Sequence, residues 1–102
     1  MSKTRWQGIF PAVTTKFHPD ERIDAEGTAR HIDFQIRNGI HGVVTCGSLG
    51  EASTLSLEEK LDVARIAIEA SGGRVPVLAN VSETSTREAL RYIDGANKLG
   101  VA

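Results

Sequence analysis

Short apolar runs rich in β-branched residues alternate along this chain with longer segments of helical periodicity, and this alternation constrains the fold most. The runs span residues 9–14, 42–46 and 75–80, and a fourth begins at Val101. Because they are almost continuously apolar, they are typical of strands that are covered on both faces, as in parallel sheets. Strands that alternate with helices in this way predict an α/β architecture with right-handed crossovers.

Helices are predicted between these strands from their capping residues and their apolar spacing. The first extends from Asp24, whose carboxylate can cap it, to about Asn38. Its apolar residues are spaced four, three and four apart, which predicts one buried face made of Ala25, Ala29, Ile32 and Ile36. Gly39 then supplies a residue that readily adopts the left-handed conformation at the end of a helix.

Two further helices each begin at a predicted capping box, in which a serine and a glutamate three residues later satisfy free backbone amides. The second helix begins at Ser56, ends at Gly72 and is predicted to bury Leu57, Leu61, Ala64 and Ile68. The third begins at Ser85, ends at Gly100 and has at helical spacing Leu90, Ile93 and Asn97. The predicted order is therefore three strand–helix units followed by the start of a fourth strand.

The composition excludes several kinds of function. Twelve Lys and Arg against thirteen Asp and Glu leave a net charge of −1, so no basic excess favours binding to nucleic acid or to a membrane surface. No apolar run approaches the ~20 residues of a membrane helix, and no secretory signal is expected. The single cysteine, Cys46, excludes an internal disulfide and fits a reducing compartment, so a cytoplasmic location is expected.

The length of 102 residues is too short to complete a fold of this type. A closed (β/α)8 barrel needs eight strand–helix units and about 250 residues. A doubly wound sheet can be smaller, but a chain that stops at the second residue of its fourth strand would leave a strand edge exposed. The sequence is therefore expected to be the N-terminal part of a longer protein.

Chemistry is expected where the strands end, because parallel α/β folds bind ligands outside the carboxyl ends of their strands. Those ends are formed by residues 14–15, 45–51 and 80–82. In the middle one, two glycines flank Ser48 and Leu49, so backbone amides and a hydroxyl could converge on a carboxylate. An ordinary glycine turn is the alternative interpretation. The loop matches neither common nucleotide-binding pattern, which disfavours a Rossmann-like binder.

Residues 47–51, with the sequence GSLGE, resemble the G-[ST]-T-G-E signature of the dihydrodipicolinate synthase / N-acetylneuraminate lyase family. Residues 8–17 resemble the first strand of that family, 55–60 its L-[ST]-x-x-E-[KHR] helix start and 75–79 its third strand. The resemblance implies a (β/α)8 TIM barrel, usually in a homotetramer. Residues 1–102 would then be the N-terminal portion of a single TIM-barrel domain, with about three βα units plus the start of a fourth strand.

The same resemblance implies a lyase in which a lysine forms a Schiff base with pyruvate or another 2-oxo acid. That lysine and a relay tyrosine would lie beyond this chain, because neither its lysines nor Tyr92 match their motifs. The 102-residue piece alone is therefore expected to be inactive. No cofactor is implied, and a homo-oligomer, either a tetramer or a dimer, is expected.

Carried over residue by residue, the resemblance gives Ser48 the catalytic position, where its hydroxyl contacts the substrate carboxylate and joins a proton relay. The substrate-binding positions that it implies are Ala12, Gly47, Ser48 and Leu49. Ala12 would leave space beside the Schiff base, and Gly47 would shape the loop. Glu51 would be a structural residue that closes the loop.

Three departures from the family pattern bear on the substrate. Leu49 replaces the usual Thr, Thr15 replaces the usual Pro, and Val81 stands where many synthases have Gly. A lost hydroxyl in a hydrogen-bonding site changes specificity strongly. These departures favour a catabolic relative: a keto-deoxy sugar acid aldolase or dehydratase, an N-acetylneuraminate lyase, or a pyrroline-4-hydroxy-2-carboxylate deaminase. A non-catalytic truncated barrel segment is the other alternative.

The remaining candidate residues favour structural roles. His18, His31 and His41 lack the spacing of metal ligands, so no metal site is expected. Cys46 lies at a strand end, where it could be a nucleophile, but free cysteine is among the most buried residue types. It is therefore expected to pack in the core.

Overall fold

In the computed structural model, which describes residues 4–102, three α-helices alternate with two short parallel strands. The elements are α1 (Ala25–Arg37), β1 (Val43–Thr45), a 3-10 turn (Ala52–Thr54), α2 (Leu57–Ser71), β2 (Val77–Ala79) and α3 (Thr86–Leu99). The register between β1 and β2 pairs Val43 with Val77, Val44 with Leu78 and Thr45 with Ala79. The predicted α/β alternation is confirmed, although each strand is shorter than predicted.

The first predicted strand, residues 9–14, lies beside β1 but is paired only through a bridge between Ala12 and Val44. The Val44 amide donates to the Pro11 carbonyl at 2.9 Å, and the Val13 amide donates to the Val44 carbonyl at 3.0 Å. Because Pro11 has no N–H, this segment can accept a hydrogen bond at that residue but cannot donate one. The segment is therefore parallel to β1 without forming a regular strand.

On the far side of β2, the Ala102 amide donates to the Val77 carbonyl at 2.9 Å, at the predicted start of a fourth strand. The four segments thus lie side by side in the order in which they occur in the chain. Since the paired segments are parallel, their carboxyl ends lie at one edge of the sheet. This edge positions the loops that carry the predicted site residues.

The core lies between the strands and the helices. Each strand segment contributes one buried residue that packs against the helices. The cluster consists of Val13, Val43 and Val77 from the strands with Ile32 from α1 and Ala67 from α2. The intervening strand residues Ala12, Val44 and Leu78 belong to the opposite face, and Ala12 is exposed. Neither hydrophobic cluster of the described residues includes a residue of that opposite face, which we call the uncovered face.

All three predicted helix N-caps form, at Asp24, Ser56 and Ser85. The capping box of α2 is complete, since the Glu59 amide donates to the Ser56 hydroxyl at 3.1 Å and the Ser56 amide donates to the Glu59 carboxylate at 2.8 Å. The box predicted for α3 is only half formed. The Glu88 carboxylate accepts from the Arg91 guanidinium at 2.9 Å instead of returning to the cap.

The buried face of α2 is wider than predicted. Ala64 is fully buried, but the predicted Leu57, Leu61 and Ile68 are only half-buried. The residues buried in their place are Val63, Ile66, Ala67, Lys60 and Ser71. The reason is that α2 contacts both other helices and both strands, whereas a single stripe would suffice only for a helix at the edge of the fold.

α3 packs on α2 through a face that the apolar spacing did not indicate. Tyr92 and Ala96 are buried, whereas Leu90 and Ile93 are 61% and 40% exposed. A Cβ at Gly95 would lie 2.8 Å from the Leu61 side chain, so glycine allows the two helices to approach closely. Among residues 4–102, none of the three helices combines the length and hydrophobicity that crossing a bilayer requires.

Candidate active site

The loop of residues 46–51, which we call the mouth loop, follows β1 and joins the carboxyl ends of the neighbouring strands. On one side, Asn80 donates from its backbone to the last carbonyl of β1 at 2.9 Å, and from its side chain to the Cys46 carbonyl at 3.3 Å. On the other side, the Thr15 hydroxyl donates to the Gly50 carbonyl at 2.7 Å. The three strand ends that the sequence singled out therefore meet at one edge.

The mouth loop has an unusual backbone at both ends. Cys46 and Glu51 adopt left-handed conformations, with φ of 59° and 61°. Such conformations are uncommon for residues other than glycine and cost roughly 1–3 kcal/mol each. Between them, the Gly50 amide donates to the Gly47 carbonyl and the Glu51 amide to the Ser48 carbonyl, each at 3.1 Å. These bonds define a tight turn.

The tip of this turn leaves hydrogen-bond donors free. The backbone amides of Ser48 and Leu49 donate to no acceptor within residues 4–102. Both residues are exposed, and the Leu49 side chain is 66% accessible. Adjacent unpaired amides form a concavity that attracts anions, so this tip can accept a carboxylate.

The two glycines of the loop serve different purposes. A Cβ at Gly50 would lie 3.0 Å from the Cys46 nitrogen and 3.1 Å from the Val13 carbonyl oxygen, so the loop packs directly onto the strand ends there. Gly47 has open space around the same position and does not have a positive φ. The close approach of neighbouring backbone therefore accounts for a glycine at position 50, but no such contact accounts for the glycine at position 47.

Ala12 is separated from the other predicted substrate-binding residues. It lies on the uncovered face of the sheet, opposite Val44 and two residues before Thr14. Gly47, Ser48 and Leu49 lie together at the carboxyl edge instead. Three of the four predicted positions are thus consecutive residues of the mouth loop, whereas Ala12 lies on the first strand segment, which reaches that loop at Thr15.

The structure contains a buried polar cluster next to the mouth loop that the sequence pattern did not predict. The Lys60 ammonium of α2 lies 2.6 Å from the Glu83 carboxylate, and these side chains are only 8% and 14% exposed. The Cys46 thiol donates to the Lys60 carbonyl at 3.6 Å. Lys60 lies on the same face of α2 as Ala64 and Ser71, which are both buried. This spacing could have predicted from the sequence that Lys60 is buried.

Cys46 and its neighbour Tyr92 are two further titratable residues beside this ion pair, and burial shifts the pKa of both. Burial raises the pKa of the Cys46 thiol, which therefore stays protonated and is unsuited to be a nucleophile at neutral pH. Burial, and then the neighbouring Cys46, raise the pKa of Tyr92 far above its ordinary range. The Tyr92 hydroxyl is buried without a hydrogen-bond partner among the described residues. The prediction that Cys46 packs in the core is confirmed.

Surface clefts occur elsewhere on the molecule. Two of them adjoin the amino end of β2, where Arg74 and Pro76 line both. Neither is lined by a residue of the mouth loop. Ser48 and Leu49 are instead exposed at the carboxyl edge of the strands.

The sequence model of the dihydrodipicolinate synthetase family matches residues 5–102. The chain belongs to this family. Its curated relatives include the 4-hydroxy-tetrahydrodipicolinate synthases of Methanosphaerula palustris, 42% identical over 97 residues, and Methanosarcina barkeri, 43% identical over 96. These alignments cover 93% and 94% of this chain but only 33% and 32% of the relatives. The chain thus spans about a third of the length of these relatives.

Solved structures agree with this family assignment. One is a prophage protein of the dihydrodipicolinic acid synthase family from E. coli K12 in complex with pyruvate, with a TM-score of 0.89 and 40% identity over 94% of this chain and 32% of that one. Another is N-acetylneuraminate lyase from Mycoplasma synoviae, with a TM-score of 0.87 and 29% identity over 94% of this chain and 33% of that one. The family resemblance predicted from residues 47–51 is confirmed.

Proposed function

We propose that the polypeptide containing this segment is a lyase that acts on pyruvate or another 2-oxo acid through a Schiff base with a lysine beyond residue 102. The observation that carries the proposal is the mouth loop, where the Ser48 and Leu49 amides have no acceptor in the described part of the chain and lie at the carboxyl edge of parallel strands. Membership of a family in which a neighbour binds pyruvate supports it.

In the proposed reaction, the substrate carboxylate accepts hydrogen bonds from the mouth loop. Its keto carbon is then attacked by the lysine amine, and water leaves as the imine forms. The imine withdraws electrons from the adjacent carbon, so that a bond to that carbon breaks or forms. Ser48 would bind the carboxylate and join the proton relay, Gly47 and Leu49 would contribute backbone to the same subsite, and Ala12 would leave room beside the imine.

We propose further that residues 1–102 form the first three βα units and the start of the fourth strand of a (β/α)8 barrel. The order of the parallel segments supports this arrangement, because each segment neighbours the next one in the chain. The uncovered face that carries Ala12, Val44 and Leu78 would become the barrel interior. We also propose a homo-oligomeric assembly, either a tetramer or a dimer.

Reductive trapping tests the proposed function. Borohydride treatment of the complete polypeptide with pyruvate, and with a panel of sugar-derived 2-oxo acids, should add one covalent substrate residue by mass spectrometry. The isolated 102-residue segment should add none, because the lysine is proposed to lie outside it. An adduct on the isolated segment would contradict the location of the lysine. Absence of any adduct on the complete polypeptide would favour a non-catalytic barrel segment.

The exposed apolar side chains at the mouth favour a catabolic substrate over that of a dihydrodipicolinate synthase. Leu49 is 66% exposed and Val81, one residue after Asn80, is 40% exposed. Neither offers a hydroxyl to a substrate. An aldolase or dehydratase of keto-deoxy sugar acids, an N-acetylneuraminate lyase and a pyrroline-4-hydroxy-2-carboxylate deaminase are the candidates that we propose.

Leu49→Thr is expected to change substrate preference more than stability. The added hydroxyl should alter the ratio of kcat/KM between two 2-oxo acids by about tenfold, because hydrogen-bonding groups discriminate strongly. Unfolding should change by about 0.5 kcal/mol or less, since the side chain is mostly exposed. Leu90→Thr, at a leucine that is 61% exposed on α3, is the matched control and should leave the ratio unchanged. Equal ratios in all three proteins would refute a role for Leu49 in specificity.

A further inference from the structure

The Thr15 hydroxyl links the first strand segment to the mouth loop. Thr15 is 4% exposed, and its hydroxyl donates to the Gly50 carbonyl at 2.7 Å across 35 positions of sequence. No other donor within residues 4–102 reaches that carbonyl. Because the group is buried, loss of this donor would leave a carbonyl without a partner.

The loop has little freedom to compensate for such a loss by shifting. Gly50 lies close to backbone atoms of Cys46 and Val13, and a Cβ at this position would be only 3.0 to 3.1 Å from them, a tight contact. The loop therefore has little room at Gly50 to move closer to the strand ends and bring this carbonyl to another donor. Thr15 thus holds the loop against a surface with which it is already in close contact.

The hydrogen bond from Thr15 matters for the loop because the loop backbone is strained at both ends. Left-handed conformations at Cys46 and Glu51 persist only where the surrounding structure enforces them. Asn80 holds the first end of the loop through the Cys46 carbonyl. Thr15 holds the last end, one residue before Glu51. Without the Thr15 hydroxyl, Glu51 would lose the nearest tertiary hydrogen bond, the one to the Gly50 carbonyl.

We propose that Thr15 is a positioning residue whose hydroxyl keeps the mouth loop in the conformation that presents the Ser48 and Leu49 amides to a substrate carboxylate. Its effect on ligands rests on the proposed function, whereas its effect on the loop does not. Thr15 acts through Gly50 and does not itself touch the substrate. Its removal should therefore weaken substrate binding more than it slows the subsequent chemistry.

Thr15→Val removes the hydroxyl with little change in shape, and Thr15→Ser retains it. In the complete polypeptide, Thr15→Val should raise the pyruvate concentration for half-maximal borohydride trapping about tenfold, with the maximal trapping rate within about twofold. Thr15→Ser should stay within about twofold of the parent in both quantities. Ser71→Ala is the matched control, because Ser71 is buried and donates to the Val75 carbonyl at the same 2.7 Å near the opposite ends of the strands.

Hydrogen–deuterium exchange tests the loop without any substrate. Thr15→Val should speed exchange of the Gly50, Glu51 and Ala52 amides about tenfold, whereas Ser71→Ala should not change them selectively. Unchanged exchange in Thr15→Val would overturn the proposal, as would an unchanged half-saturating concentration in a protein that traps pyruvate. If the parent traps no 2-oxo acid, the proposed function fails and exchange alone decides the role of Thr15. Thr15→Ala replaces Thr15→Val in both measurements if the valine variant does not fold.

Discussion

Replacing Lys60 with methionine is expected to lower the free energy of unfolding by about 3 kcal/mol, the largest single effect on stability that we predict. The substitution removes the ammonium group and leaves the Glu83 carboxylate buried, with a side chain only 14% exposed. A buried charge without a partner loses hydration that no other contact replaces. Denaturant unfolding of the complete polypeptide, followed by circular dichroism, measures the loss.

Two further variants separate the ion pair from the packing of the lysine chain. Lys60→Met combined with Glu83→Leu should recover most of the lost stability, because apolar side chains can replace a buried pair at little net cost. Lys98→Met breaks the exposed pair with Asp94, at 3.2 Å, and should cost about 0.5 kcal/mol or less. A double variant as unstable as Lys60→Met would show that the charge on Glu83 is not the cause.

Ser48→Ala is expected to lower kcat/KM by about a hundredfold, the largest effect on activity that we predict. This expectation rests on the proposed function, in which the Ser48 hydroxyl binds the carboxylate and transmits a proton. The folded state should be unaffected, because Ser48 is exposed at the tip of the mouth loop. Steady-state kinetics on the substrate identified by trapping, together with a thermal melt, measure both quantities.

Ser53→Ala is the control for that prediction, and Ser48→Thr is the conservative variant at the same position. Ser53 is an exposed serine in the 3-10 turn just after the mouth loop, so its loss tests the same chemical change away from the proposed subsite. It should leave kcat/KM within about twofold, and Ser48→Thr should retain more activity than Ser48→Ala. If Ser48→Ala is as active as Ser53→Ala, Ser48 has no catalytic role.

Much of the local structure follows from short-range chemistry that is visible in the sequence. The Ser56 capping box, the Asp24 cap and the glycine at the end of α2 all formed where predicted, since each depends on residues within one turn of helix. Strand positions followed from apolar runs, although the paired residues were fewer. The turn at residues 47–51 was likewise visible, because its two glycines and its own hydrogen bonds are local, although its ends are held by distant residues.

Burial was harder to predict than secondary structure. Leu90 and Ile93 have the apolar spacing of a buried face, yet Tyr92 and Ala96 are the residues buried on α3. α3 packs on α2 at Gly95, which lies close to the Leu61 side chain, and this contact joins residues that are distant in the sequence. The Glu88 carboxylate likewise could complete the cap or bind Arg91, and its observed partner is Arg91.

The amino-acid sequence by itself determined the alternation of elements, the helix ends, the family and the position of the Ser48 turn, because periodicity, caps and motifs act over a few residues. Only the tertiary structure decided that Lys60 is buried against Glu83, and that Thr15 holds Gly50 from 35 residues away. Those contacts join segments that are neighbours only after β1, β2 and the first strand segment align in parallel. Their energies depend on the exclusion of water, which no short stretch of sequence specifies.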